Sequence, residues 1–409
     1  MNDSNLAITS RNENFWEQRK LGEVSKKLKS YSLTRSVESK TKTKIKYIHY
    51  GDIHTGIAQN ITVNNKLPWI KLDQSKKIEK LKKGDIIVAD ASEDYKGIAD
   101  AALIEESLPY HIIAGLHTIA FRPNNQLMDS KFIFYALQNI SFKRYGYKIG
   151  TGLKVFGIST NNFFNFNLKF PNILEQNKIS TLISKLKNLI TLYDRKLKLL
   201  SQVKKYFLDN LFAEKEYPNL RFKGFTDAWE HRKLNSIFET VSKKGFPNLP
   251  VLTATQTKGM IYRNNSGIDI KFNENSLKNY KLVEPNQFVV HLRSFQGGLA
   301  ASSLRGIASP AYTVLRFKDS KQGVNFWKEF FRSKKFINSL VKVTYGIRDG
   351  RTIKVTDLLD LKYRIPSQNL EQCKIGQLIN SINKLLTLYE NKQQHLTEIK
   401  KTLLNTMFI

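Results

Sequence analysis

Two stretches of this chain set lysine and arginine among aromatic rings and glycines: FKRYGYKIGTGLKVFGIS (142–159) and VKVTYGIRDGRTIKV (341–355). The mixture suits a polyanion. Glycine lets the backbone approach a phosphate, lysine neutralises it, and arginine grips a guanine edge through two hydrogen bonds. Candidate DNA-contacting residues are Arg144, Tyr145, Tyr147, Lys148 and Lys154 in the first stretch, and Tyr345, Arg348, Arg351 and Lys354 in the second. A solvated turn after a helix is the alternative for any one of these side chains. Recurrence of such a stretch at the same point of two repeats favours binding for the stretches as wholes.

Catalytic chemistry has less support. The sequence holds no GxxxxGK[ST] phosphate loop, no [DN]PP[YF] motif of an amino-methyltransferase and no FxGxG cofactor loop, and GTG (150–152) alone is weak. His49/His54 and His111/His117 lack metal-ligand spacing and lie apart from Cys373, so no zinc site is expected. ADASEDYKG (89–97) gathers Asp90, Glu93, Asp94 and Lys96 in the manner of a nuclease metal site. The matching place downstream reads HLRSFQGG, without acids, which favours a surface loop. Cys373 sits on an amphipathic stretch and reads as packing.

The elements that position these residues are written twice. Residues 174–212 align without gaps with 370–408, at a shift of 196 and with 17 identities in 39 positions. In the first copy the apolar spacing runs Ile179, Leu182, Leu186, Leu189, Tyr193, Lys196, Leu200, Val203, Phe207. In the second it runs Ile375, Leu378, Ile382, Leu385, Tyr389, Lys392, Leu396, Ile399, Leu403. This alternation of three and four predicts two long helices with a coiled-coil seam. Ile183, Ile190 and Leu197, with Ile379 and Leu386 in the second copy, flank that seam and widen the apolar face. Together with Tyr193 and Tyr389 they are the expected subunit-interface residues.

A second repeat lies upstream, where FWEQRKLGEV (15–24) resembles AWEHRKLNSI (228–237) at a shift of 213. The first globular unit is therefore longer by 17 residues. Between the anchors, KGDIIVAD (83–90) parallels PNQFVVHL (285–292) as a buried strand, and HTIAFRP (117–123) parallels YTVLRFK (312–318). An aromatic-rich helix is expected in each, over 131–144 and 324–343. The order is globular unit, long helix, globular unit, long helix. If the helices pack together they are antiparallel, the halves are related by a pseudo-twofold axis, and the globular units sit at opposite ends.

Composition agrees with this plan. The 409 residues hold 41% hydrophobic side chains, which excludes a mainly disordered chain. Lys plus Arg number 66 against 35 acids, a net charge of +31, of which the two long helices carry only +7. A membrane-surface protein would concentrate the excess on its amphipathic helices, whereas here the globular units hold it. No apolar run suits a membrane span and no secretory signal is apparent; with a single cysteine, a cytoplasmic location is the expectation.

With these features in view, the chain resembles the specificity subunits of type I restriction–modification systems, over essentially residues 14–409. The paired LEQ…LITLYDRK and LEQ…LLTLYENK helices and LRFKGFTDAWEHRKL (220–234) carry the resemblance. YIHYGDIHTG (47–56), KKGDIIVADASEDY (82–95) and LKVFGIS (153–159) are similar to further signatures of those domains. One departure is that the first unit lacks the LRFxGF lead-in before Phe15 and Trp16. The resemblance implies an α+β chain with two globular target-recognition domains separated by two long antiparallel coiled-coil helices. The boundaries are a disordered N-terminus at 1–13, recognition domains at 14–172 and 216–367, and helices at 173–215 and 368–409. It implies a non-catalytic subunit in which each domain reads, in the major groove, one half of a bipartite, asymmetric target in double-stranded DNA. The helices would set the distance between the halves and dock two methyltransferase subunits, which methylate adenine N6 with S-adenosylmethionine. Two ATP- and Mg-dependent translocase/nuclease subunits would join for restriction. No cofactor, metal or membrane is expected on this chain itself. A stand-alone nuclease or DNA-modifying enzyme with unrecognised catalytic residues is the alternative.

Overall fold

The computed structural model describes residues 16–56, 59–72, 78–93, 97, 99–152, 155–212, 215–267, 274–291, 293–346 and 351–408. The expected disordered segment, residues 1–13, lies outside them. Two compact units account for the chain: Met1–Tyr193 with Lys392–Ile409, and Asp194–Asn391.

In the first unit a five-stranded sheet has the order Ser25–Leu28, Thr118–Pro123, Ile86–Ala89, Ala101–Ile104, Asn60–Ile61. Its neighbours are antiparallel except for the last pair. Side chains alternate across the sheet, and both faces are covered. Ile86, Val88 and Phe121 join Phe132 and Ile133 in one core, while Ile87, Ala89 and Ala120 join Leu28, Ile48 and Ile112 in another. Two-sided burial is why IIVA reads as an unbroken apolar run. A second sheet, His111–Ala114, Ile45–Ile48, Trp69–Ile70 and Glu38–Ser39, has its first two strands parallel. Glu17–Lys20 pairs with Asn167–Phe170, just before the long helix.

The second unit repeats this plan. Phe238–Val241, Thr313–Phe317, Phe288–Val290 and Ala300–Ala301 form the central sheet, and Glu230–Lys233 pairs with Lys362–Ile365 before the other long helix. Phe288 and Val290 enter one core and Val289 the other.

Each expected aromatic helix is in fact two. Ser130–Ala136 and Ile140–Ile149 are separated at Asn139, whose side-chain oxygen accepts the Ser141 N–H. Val324–Phe330 and Lys334–Ser339 are separated at Ser333, which accepts the Phe336 N–H. A polar N-cap satisfies donors that a new helix leaves open, so it starts a helix inside an apolar stretch.

The long helices are Ile173–Leu211 and Asn369–Met407. Each unit holds part of both, running antiparallel. In the first unit Glu175 and Ile179 lie beside Thr406 and Met407, and Lys187 feels the charge of Lys400. In the second, Lys196 lies over the Tyr389 ring, while Lys204 and Asn383 both reach Glu329.

Half of the expected seam is displaced by one residue. Ile179, Leu186, Tyr193 and Leu200 face inward as expected, but their alternating partners are Ile183, Ile190 and Leu197, with Leu182, Leu189 and Lys196 exposed. The second helix does the same, turning Ile379 and Leu386 inward and Leu385 and Lys392 outward. The reason is that each helix also closes the core of a globular unit: Ile183 belongs to the cluster of Phe132 and Phe142, and Ile375 to that of Phe326 and Trp327.

The duplicated LEQ motif pins each helix to its unit. Gln176 is fully buried; its amide donates to the carbonyls of Pro171 (2.8 Å) and Leu127 (2.9 Å), and its oxygen accepts the Asp129 N–H (2.9 Å). Gln372 donates to the Pro366 carbonyl (3.3 Å) and accepts from the Trp327 indole (3.2 Å). A buried amide with all its partners fixes one orientation of the helix, because any other leaves polar groups unsatisfied.

Candidate nucleic-acid interface

The first basic stretch is mostly helical, where the sequence suggested a loop. Arg144, Tyr145, Tyr147 and Lys148 lie on the Ile140–Ile149 helix, and Lys154 lies outside the described residues. The helix buries Phe142 and Gly146 and exposes Arg144, Tyr147 and Lys148. Arg144 and Lys148, four apart, share that outer face. Tyr145 turns the other way: its ring packs on Phe166, with centroids 5.1 Å apart, and its hydroxyl donates to the Asn162 carbonyl at 2.6 Å. Helical spacing places it over the core, so it anchors the helix rather than facing solvent. Asn139 ties the helix start to the C-terminal long helix through the Leu404 carbonyl at 2.5 Å.

Beside this helix lies a polar cleft of about 470 Å³, lined by Tyr50, His54, Ser92, Glu93 and Asp100 among others. Lys143 reaches Asp100 at 2.5 Å, and His54 sits 3.4 Å from the same carboxylate and 2.9 Å from the Ala91 carbonyl. Burial raises the Asp100 pKa, but the hydrogen bonds from His54 and Lys143 and the Lys143 charge outweigh it and hold the carboxyl below its ordinary range. Gly97 is required here, because a Cβ would lie 2.5 Å from the Ser92 hydroxyl and 2.9 Å from the His54 ring.

The described acids of ADASEDYKG, Asp90 and Glu93, have separate surroundings. Asp90 pairs with His117 at 3.3 Å, Glu93 lines the cleft, and Asp94 and Lys96 lie outside the described residues. Among the described residues no group of three His, Cys, Asp or Glu could hold a metal ion. Lys143, His54 and Asp100 escaped the sequence reading. They come together from three separated elements, and no spacing announces them.

In the second unit the basic stretch forms a small hairpin, Thr344–Tyr345 paired with Thr352–Ile353. Arg348 lies outside the described residues. The Tyr345 hydroxyl donates to Asp357 at 2.8 Å and Lys354 pairs with it at 3.0 Å; these two hydrogen bonds, Lys354 first, lower the Asp357 pKa. Arg351 is exposed, its guanidinium 6.0 Å from the Phe295 ring. The two units thus present basic groups differently, from a ten-residue helix in one and a tethered hairpin in the other.

The expected subunit interface needs correction. Ile183 and Ile379 are fully buried inside their own units and offer a partner nothing. Ile190, Leu197, Leu386, Tyr193 and Tyr389 are half-buried on the inner face. The large apolar side chains that the helices do expose are Leu174, Leu182, Leu189, Leu192, Leu199 and Tyr206 on the first, and Leu370, Leu385 and Leu388 on the second, each 41–71% exposed. Among the described residues no helix is long and apolar enough to cross a membrane.

Known proteins place this arrangement. A Methanocaldococcus jannaschii protein named as a type I restriction enzyme MjaX specificity subunit is 22% identical over 348 residues, which are 79% of this chain and 77% of that one. The crystal structure of a type I restriction-modification system S subunit from M. genitalium shares the fold, with a TM-score of 0.59, 15% identity and 98% of each chain covered. The family described as Type I restriction modification DNA specificity domain matches residues 13–202, the first globular unit and most of its long helix. On that match residues 13–202 of this chain are similar to the type I restriction–modification DNA specificity domain.

Proposed function

We propose that this chain reads a bipartite, asymmetric DNA sequence, one half with each unit, and carries no catalytic residues of its own. The observation that supports it most is the internal repeat: two units of the same plan, with a basic, aromatic-containing element on the second of the paired aromatic helices in one and directly after the pair in the other, and most of the charge outside the long helices. In the first unit Arg144, Tyr147 and Lys148 face the DNA, on a helix of a size the major groove admits. In the second, Tyr345, Arg351 and Lys354 do so from the hairpin, with Lys154 and Arg348 as the further basic contacts. The recognition domains are residues 14–172 and 216–367. The outward leucines of the long helices dock two methyltransferase subunits, which use S-adenosylmethionine, and two ATP- and Mg-dependent restriction subunits join them.

Sequencing of methylated adenines in cells carrying the chain and its partners tests this reading. A motif of two defined halves around an undefined spacer is expected. Replacing residues 216–367 by the corresponding part of another specificity subunit should change one half and keep the other. A single uninterrupted motif, or a change in both halves, would overturn the proposal. Methyl transfer by the purified chain alone would overturn its non-catalytic part.

A further inference from the structure

We propose that a cleft on the second sheet of the first unit, walled by Trp69 and Tyr110, binds a phosphate group of the DNA backbone. Lys46 is 7% exposed, and its ammonium lies 4.5 Å from the Trp69 ring and 4.4 Å from the Tyr110 ring. Register explains the box: Lys46 and Trp69 are cross-strand partners, and Tyr110 precedes the strand that pairs with Lys46 on its other side. Trp69, Tyr110, Lys42 and Lys44 line the open side, a cleft of about 380 Å³. Lys42 and Lys44 are exposed, and the Lys42 ammonium is 6.0 Å from the Trp69 ring. At the cleft edge Lys80 stands 2.9 Å from the His111 ring nitrogen.

Three features point to an anionic ligand. Among the described residues none of Lys42, Lys44 and Lys46 is paired with a carboxylate; the acid felt at the cleft is Glu106, whose charge acts on the Tyr110 hydroxyl, so the three lysines outnumber it. Burial, and then the Lys42 charge, lowers the Lys46 pKa, the signature of an ammonium short of a counter-charge. The Tyr110 hydroxyl is buried without a hydrogen-bond partner, and a buried polar atom of that kind calls for one. A phosphate oxygen in the cleft supplies charge to the lysines and an acceptor to the hydroxyl. Aromatic rings solvate an ammonium only partly, so the box holds Lys46 in place without neutralising it. A free phosphate ion offers the same chemistry. The charge of the globular units favours the phosphodiester, since a duplex presents many such groups to one surface.

This inference rests on the reading of the chain as a DNA binder, and the test separates the two. The full chain is titrated with mixed-sequence duplex DNA over a range of salt concentrations, as wild type, Lys42→Ala/Lys44→Ala and Lys46→Met. Losing one phosphate contact should lower the slope of log affinity against log salt by about 0.9, with weaker binding at every salt. The double variant changes only exposed side chains, so it tests the cleft even if Lys46→Met fails to fold. An unchanged slope in the folded double variant, beside a salt-dependent wild type, overturns the cleft and leaves the DNA reading standing. A wild type without salt-dependent duplex binding overturns both. Inorganic phosphate is titrated separately. Saturation that depends on Lys42 and Lys44, with an unchanged DNA slope, identifies a free-phosphate site and overturns the phosphodiester.

Discussion

The two units seat the same motif, LEQ at the start of a long helix, with different chemistry around its glutamate. In the second unit Glu371 is fully buried and takes both oxygens to Arg221, at 2.9 and 2.7 Å, while Arg221 also donates to the Asp227 carbonyl. The lead-in that brings Arg221 also lays Phe225 under the Lys374 ammonium, 5.0 Å away. In the first unit the matching Glu175 is half-exposed, and its carboxylate has no partner among the described residues; it borders a cleft with Trp16, Ile179, Thr406 and Met407. The glutamine buried next to it hydrogen-bonds through its oxygen and its amide nitrogen in both units. The glutamine thus carries the shared structural role. The glutamate is neutral ground that one unit has turned into a buried ion pair.

The largest effect expected from this contrast is in the second unit. Arg221→Ala leaves the Glu371 carboxylate buried without a counter-charge, at a cost of about 3–5 kcal/mol. Hydrogen exchange read peptide by peptide should show loss of protection across Asp194–Asn391, with the first unit less affected. Replacing both partners, as Arg221→Met/Glu371→Gln, should recover most of the loss, because removing a buried pair together avoids the stranded charge. A second unit unmoved by Arg221→Ala would mean that the lead-in is surface decoration.

The next effect compares the inner and outer faces of the long helices. Ile183→Ala and Ile379→Ala each remove a fully buried side chain, and a loss of about 2–5 kcal/mol is expected in the unit concerned. Leu182→Asp and Leu189→Asp lie one residue round the helix, on exposed ground, and should change stability by no more than about 0.5 kcal/mol. In the proposed complex these outer variants should fail to co-purify the methyltransferase subunit. Retained assembly would place docking elsewhere.

That one-residue displacement shows where sequence ceases to be legible. The gap-free repeat, the central strands and the inward set Ile179, Leu186, Tyr193 and Leu200 follow from local spacing. Choosing between Leu182 and Ile183 does not, because both are apolar and the choice depends on which face meets the globular core. The helix breaks at Asn139 and Ser333 were legible only as single polar residues within apolar stretches. Lys46 reads as one more charge in a basic run. Its box is made by a cross-strand tryptophan and a tyrosine from a third element, which no periodicity connects.

Acid should distinguish the units as well. Burial pushes His291, in the second unit, down to about 4, against the raising effect of a backbone hydrogen bond with Gly298. Between its ordinary value of 6.5 and about 4, the unfolded chain binds a proton that the folded unit refuses. The contribution is therefore present above pH 6.5 and is lost as pH falls through that window, by at most about 3 kcal/mol. The first unit has Ala89 at the matching position; burial, and then the Arg35 charge, lower its His49 in the same direction. Its depressed Asp100 loses stabilisation only below the ordinary aspartate range, so the difference between the units rests on the larger shift of His291. Hydrogen exchange at pH 7 and pH 5 should show the second unit loosening first. His291→Leu should remove the difference; its persistence would assign the acid response to other groups.

The smallest effect is the most direct test of the opening contrast. Glu175→Ala removes a half-exposed carboxylate whose remaining stabilising role is its position in the first turn of the helix, where it opposes the positive end of the dipole. A loss of about 0.5 kcal/mol or less is expected, against several for Glu371→Ala, which strands a guanidinium only 12% exposed. The two substitutions are identical in chemistry and in place within the repeat, so their difference measures what Arg221 adds. Installing the second unit's context is not needed. It suffices to combine Glu371→Ala with Arg221→Met, which should bring its cost down toward that of Glu175→Ala. Equal and large costs for the two glutamates, in chains that keep Gln176 and Gln372 intact, would mean that the first unit also holds its helix through charge.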